Sequence, residues 1–561
     1  MSAPRVVPFG DRALLVTTGD VRCAHAVAAG IDARRAGTGD PPPDGIEEVV
    51  VGFDSVLVAL APGPEADDVA GVASWLGRVA RESVETGPVD RGSATHVLPV
   101  VFDGADLAEV ASVVGLPVGR VVDLVVGAEL EVAFVGFSPG FPYLTGLPDA
   151  LAALERRSTP RTAVPAGSVA VAGGFAAVYP RPTPGGWHLL GRTSVPLFDP
   201  RRRPYARMAP GDRVRFVVAD TSAPGPRAAA GGRPPLDAGD APHLEVLEPG
   251  LASAVQDAGR VGVAALGVPR AGAADPRSLA LVNLLLGNGV GAGAVECTVS
   301  GPTVRVAGDG HLSVVGAAAG AVAVSVDGRT VPDGTVVPVR DGQVVRVGRI
   351  AHGLRAYLGV AGGLATPSLF GSRGSDVLSG LGPGRLRTGD RLARGAPGRA
   401  RGYLRLPDAD PGGGPVVLRV VPGPHALGRD GSGDDAFARL VAARWTVGAD
   451  GDRVGVRLTP VGDDRSTPLA PVASTPVVTG AVQLPPDGRP IVLLPDHATV
   501  GGYPVVACVI AADLPLLGQL GPGDVVTLAP VGRTGAADAL ARSRATRDAA
   551  VSGWFPTSAG T

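Results

Sequence analysis

Lysine is absent from this 561-residue chain, and all 51 of its basic residues are arginine. A Schiff base, a Walker-type lysine on ATP phosphates and biotinylation of the chain itself each need a lysine amine. The chain can supply none of the three. Any biotin used with it would have to be carried by another chain.

Cysteine is also scarce, since only Cys23, Cys297 and Cys508 occur and they are far apart. An odd number at such spacing argues against a disulfide framework and favours a reducing compartment, so we expect a cytoplasmic protein. No spacing of histidine, cysteine and carboxylate residues is typical of a zinc site. We therefore predict no tightly bound metal.

Neither sign of charge is in excess, because 51 basic residues stand against 53 acidic ones. This balance leaves no basic footprint for nucleic acid or an anionic membrane. Long apolar runs are missing as well: residues 1–16 lack the apolar core of a secretory signal, and prolines and glycines interrupt the uncharged stretch 163–180. We expect no membrane and no nucleic-acid partner.

Glycine and proline are abundant, at 83 and 54 residues, and they separate short apolar runs. This alternation is typical of small β-barrels or sandwiches, and a chain of this length needs about three to five units. We predict a mainly β fold with an α+β N-terminal domain. The predicted units are 1–90, 91–220, 244–400 and 416–535, with linkers at 221–243 and 401–415 and a tail at 536–561.

Local patterns place several elements within these units. Residues 13–16 and 55–60 are strand-like, and residues 65–82 carry apolar side chains at helical spacing, which we interpret as packing without chemistry. A capping box of Asp106 and Glu109 predicts a helix that Gly115 ends. Asp275 and the proline after it predict another helix start. A Pro-Gly-Asp turn at 210–212 recurs at 522–524, and a Gly-Asp pair stands at 389–390, which favours three related β-rich units.

The segment 136–140, GFSPG, matches the nucleophile elbow of serine hydrolases. In that elbow the residue after the serine donates its backbone N–H to an oxyanion, and Pro139 has no N–H. We reject a serine nucleophile and favour a rigid ligand-lining loop over a merely structural turn. The candidate binding residues of this loop are Phe137, Pro139, Gly140, Phe141 and Tyr143.

The motifs around this loop resemble a known family. Segment 136–144 (GFSPGFPYL) is followed by 164–168 (VPAGS), 184–187 (PGGW) and 191–193 (GRT), as in the first subunit of the allophanate hydrolase, urea carboxylase and 5-oxoprolinase subunit family. Residues 244–503 resemble the partner subunit, so the chain is similar to a fusion of the two. The family has a further histidine where this chain has Val125, and SGAMD where residues 271–275 read AGAAD. The resemblance implies tandem cyclophilin-like β-barrels.

The resemblance also marks candidate site residues. The candidate acids or bases are His96, Asp496 and His497, although a lone histidine such as His96 at a strand start is more often structural. For Asp496, a structural role in anchoring its loop is an equally weighted alternative to acid–base chemistry. The further substrate-binding candidates are Arg192, Asp275, Glu296, Arg373, Arg453, Thr499, Gly501, Gly502 and Tyr503. Each of these arginines, taken singly, could instead be a solvated surface residue. Taken together, we expect at least one of them to bind a carboxylate or phosphate.

Three functions of different kinds are implied by the resemblance. The first, which we favour because the chain lacks biotin carboxylase, carrier and amidase parts, is a component of an ATP-dependent 5-oxoprolinase, a hydrolase of a cyclic amide C–N bond. It would be inactive without a separate A-type subunit, with ATP used by the complex and no covalently bound cofactor. The second is a carboxyltransferase module that acts on urea or a similar amide with biotin supplied by a partner. The third is a non-catalytic inhibitor of a histidine kinase. A small amide or lactam substrate and a homo-oligomer are further expectations.

Overall fold

The structure is a computed structural model that describes residues 3–61, 69–87, 93–219, 236–398, 414–426, 436–462, 469–470 and 472–552. Most of the two predicted linkers, residues 65–68 of the predicted first long helix and the end of the predicted tail lie outside these ranges. Across the described ranges, every helix is too short or too polar to cross a lipid bilayer.

The N-terminal unit is an antiparallel sheet with strand order β1-β2-β4-β3 and two helices on one face. Its elements are β1 (Arg5–Pro8), β2 (Ala13–Thr17), α1 (Val21–Arg35), β3 (Ile46–Val51), β4 (Ser55–Leu60) and α2 (Val69–Thr86). Alternate side chains point to opposite faces of a strand. Leu14 and Val16 accordingly pack on the helices, whereas Ala13 and Leu15 pack on the rest of the molecule. The predicted strands are confirmed, and the helix ends four residues later than predicted.

The second unit is a seven-stranded sheet of order β12-β9-β10-β7-β6-β13-β5 with a two-stranded ribbon of β11 and β8. Its elements are β5 (Thr95–Val100), α3 (Leu107–Val114), α4 (Val118–Val126), β6 (Leu130–Val135), β7 (Pro142–Thr145), α5 (Asp149–Ala152), β8 (Arg161–Val164), β9 (Ser168–Ala172), β10 (Phe175–Val178), β11 (Thr183–Gly185), β12 (His188–Arg192) and β13 (Arg213–Val218). The first strand β5 pairs in parallel with the last, β13. A bridge between Val101 and Arg192 nearly closes the sheet into a barrel.

The predicted capping box at Asp106 is wrong in its chemistry, although the helix begins where expected. The Asp106 side chain makes no capping bond. Its carboxylate instead accepts hydrogen bonds from Leu189 N at 2.7 Å, Arg157 at 2.9 Å and Arg161 at 2.6 Å. Two arginines from distant segments compete better for a buried carboxylate than the local amide does.

The third unit consists of a six-stranded sheet, β20-β19-β22-β17-β14-β24, and a five-stranded sheet, β15-β16-β23-β18-β21. Their elements are β14 (His243–Glu248), β15 (Ala252–Gln256), α6 (Pro276–Leu285), β16 (Ala294–Thr298), β17 (Thr303–Ala307), β18 (Gly310–Val315), β19 (Val322–Val326), β20 (Arg329–Val331), β21 (Val337–Val339), β22 (Val344–Ile350), β23 (Arg355–Val360) and β24 (Arg391–Ala393). Helix α6 starts as predicted, because the Asp275 carboxylate accepts a hydrogen bond from Ser278 N at 3.0 Å.

The fourth unit is a closed barrel of order β25-β32-β29-β30-β27-β26-β33, beside a short ribbon of β28 and β31. Its elements are β25 (Val416–Pro422), α7 (Ala436–Ala442), β26 (Arg444–Val447), β27 (Gly455–Pro460), β28 (Thr475–Pro476), β29 (Ala481–Gln483), β30 (Ile491–Leu493), β31 (Val500–Gly501), β32 (Val505–Val509), α8 (Leu514–Leu517), β33 (Val525–Pro530) and α9 (Arg533–Ser552). First and last strands again pair in parallel. The mainly β prediction is confirmed.

The repeated Gly-Asp turn has one geometry in all three β-rich units. Its glycine has a φ of 90° at Gly211, 87° at Gly389 and 92° at Gly523, a left-handed conformation that suits a residue without Cβ. The carboxylate of the next residue accepts a hydrogen bond from the backbone N–H three positions before it, at 2.9 Å in Asp212, 2.7 Å in Asp390 and 2.8 Å in Asp524. The sequence echo therefore reflects a shared local structure.

One hydrophobic core joins the two halves of the chain. Phe9 and Leu57 of the N-terminal sheet share it with Phe141 and Trp187 of the second unit and with Val500 of the last barrel. Burial of aromatic and branched side chains is worth about 1.5–3 kcal/mol for each one that is fully buried. The halves are thus held together by core packing as well as by polar contacts.

Candidate active site

A buried ionic cluster centred on Arg453 lies where the last barrel meets the third unit. The Arg453 guanidinium donates two hydrogen bonds to Asp496, through Nη2 at 2.9 Å and Nε at 3.1 Å. Its Nη1 donates to Glu296. The side chains of Asp496 and Glu296 are 0% and 3% exposed, so these pairs are shielded from water. The two-point contact orients the Asp496 carboxylate, and the Nη1 contact brings Glu296 to the same guanidinium.

The charges of the cluster are mutually compensated. Burial alone would raise the pKa of Glu296, but the charges of Arg453 and Arg355 hold that pKa below its ordinary value. Burial raises the pKa of Asp496 to about 6, against the opposing charge of Arg453. Tyr357 adds a hydrogen bond from its hydroxyl to Glu296 at 2.7 Å. Arg453 thus opposes the effect of burial on both carboxylates.

The cluster fixes the loop 271–275, which precedes helix α6. Arg453 donates to the Gly272 carbonyl, Glu296 accepts from Ala274 N at 2.9 Å, and the Tyr357 hydroxyl accepts from Asp275 N at 2.8 Å. The loop needs such support because Ala271, a residue with a Cβ, has a φ of 52°. Arg453 and Glu296, which we predicted to bind substrate, here position this loop.

A cavity of about 540 Å³ lies on the other side of that loop. Its walls come from the N-terminal sheet, the segment 257–291, the last barrel and helix α9. Its lining combines apolar side chains with charged and polar ones, so it can bind a small molecule that carries both kinds of group. The charged and polar lining includes Asp11, Glu47, Glu48, Asp257, Arg12, Arg270, Arg277, Arg544, Arg547, His497 and Thr499.

His497 faces the cavity as a neutral hydrogen-bond acceptor. Its Nδ1 lies 2.7 Å from the Ala498 carbonyl oxygen, and since a carbonyl only accepts, Nδ1 carries the proton. Nε2 therefore keeps a lone pair. Burial lowers the pKa of His497, which favours this neutral form. Thr499 also belongs to the lining, but its Oγ1 is buried and has no hydrogen-bond partner among the residues that the structure describes. Nε2 of His497 can accept a hydrogen bond from a polar ligand.

The aromatic loop at 137–143 lies in the shared core, away from this cavity. Phe141 and Tyr143 are 1% and 5% exposed, with ring centroids 5.1 Å apart, and burial raises the pKa of Tyr143 to about 12. Phe137 contacts Phe141 edge to face. Gly140 N donates to the Leu266 carbonyl at 2.9 Å. Pro139 is buried in the same loop. The loop forms a joint between the two halves, and its rings do not line the 540 Å³ cavity.

Ser138, at the centre of the elbow-like motif, is 0% exposed, and its Oγ has no partner within the described parts of the chain. That is not the environment of an activated nucleophile, which needs a base within hydrogen-bond reach.

Ser138→Ala is therefore expected to leave the thermal midpoint almost unchanged, because it removes a hydroxyl that bonds to none of the described residues. The free energy of unfolding should change by less than about 1 kcal/mol. Thermal melts of the purified variant check this. A clearly lower midpoint would contradict it.

The remaining predicted residues of the first half lie apart from the cavity. His96 Nε2 and Asp212 Oδ2 are 2.8 Å apart at the seam between β5 and β13. The Arg192 Nε donates to Asp103 at 3.0 Å on the surface. Val125, where the resemblance implies a histidine, is 0% exposed on the core-facing side of helix α4. These positions indicate structural surroundings for all three.

In the second half, the Arg373 side chain donates to the Thr366 carbonyl, and the Arg373 backbone N–H donates to Asp257. Asp275 caps helix α6 and accepts from Gln519 at 2.7 Å. Gly501 belongs to β31 and Gly502 follows it; a Cβ on Gly501 would lie 2.6 Å from Gln483 Nε2. Tyr503 is 37% exposed. Of the predicted residues, the structure brings Asp275, Glu296, Arg453 and Asp496 together at the loop 271–275, and His497 and Thr499 into the cavity lining.

Sequence reasoning missed the N-terminal contribution to this site. Strand β3 supplies Glu47 and Glu48, and Asp11 follows β1, so a unit interpreted as packing alone forms a charged wall of the cavity. The adjacent carboxylates in an otherwise apolar strand were the available signal, because one of two neighbours must face inward. Tyr357 and Arg355 were also missed, since buried partners of an ion pair leave no spacing pattern.

Tandem β-rich units that enclose a shared cavity define the class of fold, and sequence comparisons define the family. Residues 4–208 match the model for "Carboxyltransferase domain, subdomain C and D", and residues 266–530 match subdomain A and B. The chain belongs to this carboxyltransferase-domain family, which includes the B-type and C-type subunits of 5-oxoprolinase.

Individual relatives match separate halves. The chain is 36% identical to the C-type 5-oxoprolinase subunit of Escherichia coli K12 over 290 residues, which are 50% of this chain and 89% of that protein. It is 42% identical to the B-type subunit of Escherichia coli O157:H7 over 175 residues, which are 31% of this chain and 78% of that protein. The crystal structure of TTHA0988 aligns with a TM-score of 0.78 at 33% identity and covers 92% of this chain and 99% of that one.

Proposed function

We propose that this chain is a fused B and C component of an ATP-dependent 5-oxoprolinase, a hydrolase of the cyclic amide bond of 5-oxo-L-proline. The observation that carries the proposal is that one chain contains counterparts of both the B-type and the C-type subunit, matched over most of each. The cavity between its halves offers an acceptor at His497 Nε2, which suits the N–H of a lactam.

The catalytic chemistry is proposed to need a separate A-type subunit. The chain has no lysine for a P-loop, and the serine of its elbow-like motif is buried without a base among the described residues. ATP, consumed by the complex, would activate the amide. This chain would bind and orient the lactam and exclude bulk water from it.

A carboxyltransferase is the second candidate, because both matching family models carry that description. Urea amidolyase of Lachancea kluyveri is 30% identical over 318 residues, which are only 17% of that protein. Such a function would require a biotinylated partner.

The purified chain alone is expected to release no glutamate from 5-oxo-L-proline. Co-expression with an A-type subunit should produce ATP-dependent glutamate release, measured by coupled assay. Controls are the A-type subunit alone and the complex without ATP. Robust turnover by the lone chain, or ATP-dependent carboxylation of urea with a biotinylated carrier in place of glutamate release, would overturn the proposal.

A further inference from the structure

We infer that Arg270 binds the carboxylate of the ligand in the cavity, and that Glu47 occupies Arg270 until the ligand replaces it. This inference rests on the proposed function for the identity of the ligand. It assigns the charge-recognising residue within a site that the proposed function leaves chemically open.

Arg270 lies at the cavity wall with its guanidinium accessible. Its side chain is 37% exposed, and its one described side-chain partner is Glu47, which is 16% exposed. A partly solvated arginine with one hydrogen-bonded carboxylate can exchange that partner at modest cost, because water and the incoming carboxylate both compensate its charge. The guanidinium fork suits a second carboxylate equally well.

Two other acidic groups of the cavity, Asp11 and Glu48, are engaged by backbone donors. Asp11 accepts from Ala511 N at 3.2 and 3.0 Å. Glu48 accepts from Gly262 N and from Ala264 N, at 2.5 and 3.2 Å. Glu47 therefore differs from these two, because its described partner is a side-chain cation and not the fixed main chain.

The backbone of Arg270 is held in place. Its carbonyl accepts from Arg260 N at 2.7 Å, and the next residue donates its N–H to the Pro495 carbonyl at 3.0 Å. The Arg453 contact to Gly272 follows directly. A binding residue on a fixed main chain loses less freedom when the ligand arrives.

A hydrogen-bond acceptor is supplied by His497 on the same cavity. Nε2 of neutral His497 accepts an N–H. A small molecule with an amide N–H and a carboxylate satisfies both His497 and Arg270. A neutral lactam satisfies only His497.

The same ion pair can be broken from either side, and the two variants should act in opposite directions. Arg270→Gln is expected to weaken 5-oxo-L-proline binding by about 10- to 100-fold, the loss of a charged hydrogen bond. Glu47→Gln should tighten that binding several-fold, because it removes the competing carboxylate. Neither change should alter binding of 2-pyrrolidinone, which has no carboxylate. Arg270→Lys should restore little of the affinity.

Isothermal titration of the full chain and KM values of the reconstituted complex provide the measurements. Arg305→Gln is the matched control, since Arg305 forms an exposed pair with Glu245 at 3.0 Å away from the cavity. A merely structural ion pair would make both cavity variants shift affinity in the same direction, or not at all, and would overturn the inference. Failure of the wild-type chain and complex to bind 5-oxo-L-proline would also overturn it.

The outcomes separate this inference from the proposed function. Glutamate release by the complex with an unchanged KM in Arg270→Gln would refute the role of Arg270 alone. Carboxylate-dependent binding that Arg270→Gln abolishes, in a complex without glutamate release, would support the role of Arg270 and refute the oxoprolinase activity.

Discussion

Arg453→Met is expected to lower the free energy of unfolding by about 3–5 kcal/mol, because it removes the guanidinium that pairs with buried Asp496 and leaves buried Glu296 with Arg355 alone. Glu296 and Asp496 would keep their backbone contacts but lose the guanidinium that both share. The loop 271–275 would also lose its link to Gly272. Urea denaturation of the purified chain measures the loss.

Two variants make this result interpretable. Arg78→Met removes an arginine from an exposed pair with Asp40, whose side chains are 51% and 59% exposed, and should cost less than about 1 kcal/mol. Arg453→Lys keeps the charge without the fork and should fall between the two. If Arg453→Met were no more destabilising than Arg78→Met, the cluster would not support the loop as described.

Gly267→Ala should be the second most damaging change. A Cβ at this position would lie 2.3 Å from the Ser138 carbonyl oxygen, and Gly267 has a φ of 76°. The left-handed conformation costs a residue with a Cβ about 1–2 kcal/mol, and the clash with main chain adds to it. Because Ser138 belongs to the joint loop, the variant should also loosen the contact between the halves and weaken ligand binding.

Gly262→Ala is the matched control for this prediction. Its φ is 78°, and a Cβ there would meet nothing within 4 Å. It therefore carries the conformational cost alone. The difference in denaturation midpoint between the two variants measures the cost of the clash with Ser138. Equal midpoints would contradict the prediction, because they would show that the added Cβ is accommodated at no cost.

Helices, strands and turns could be predicted where neighbouring residues in the sequence determine them. Strands 13–17 and 55–60, the α6 start at Asp275 and the Gly-Asp turns each depend on a few adjacent residues. Asp106 was not predictable in this way, because Arg157 and Arg161 reach it from another part of the barrel. Competition between a local amide and a distant cation is decided only by the tertiary structure.

The site was predictable in part. Motif positions identified His497, Thr499, Asp496 and Glu296, but could not separate cavity-facing groups from those that hold the loop behind it. The aromatic loop at 137–143 has the composition of a binding site and of a core alike. Its location in the core depends on close packing against distant residues. At Gly136, which precedes the loop, an added Cβ would lie 2.7 Å from a methyl group of Val500.

The hydrogen bond from Ala511 N to Asp11 joins residues 500 positions apart and lies in the wall of the cavity. Two independent chains would have to associate before such a wall existed, so the fraction of competent sites would fall on dilution. A covalent connection replaces that encounter by an effective local concentration, which for short flexible tethers is in the millimolar range. The cavity of the fused chain should therefore persist at nanomolar protein, and it can form only after the ribosome has released nearly the whole polypeptide.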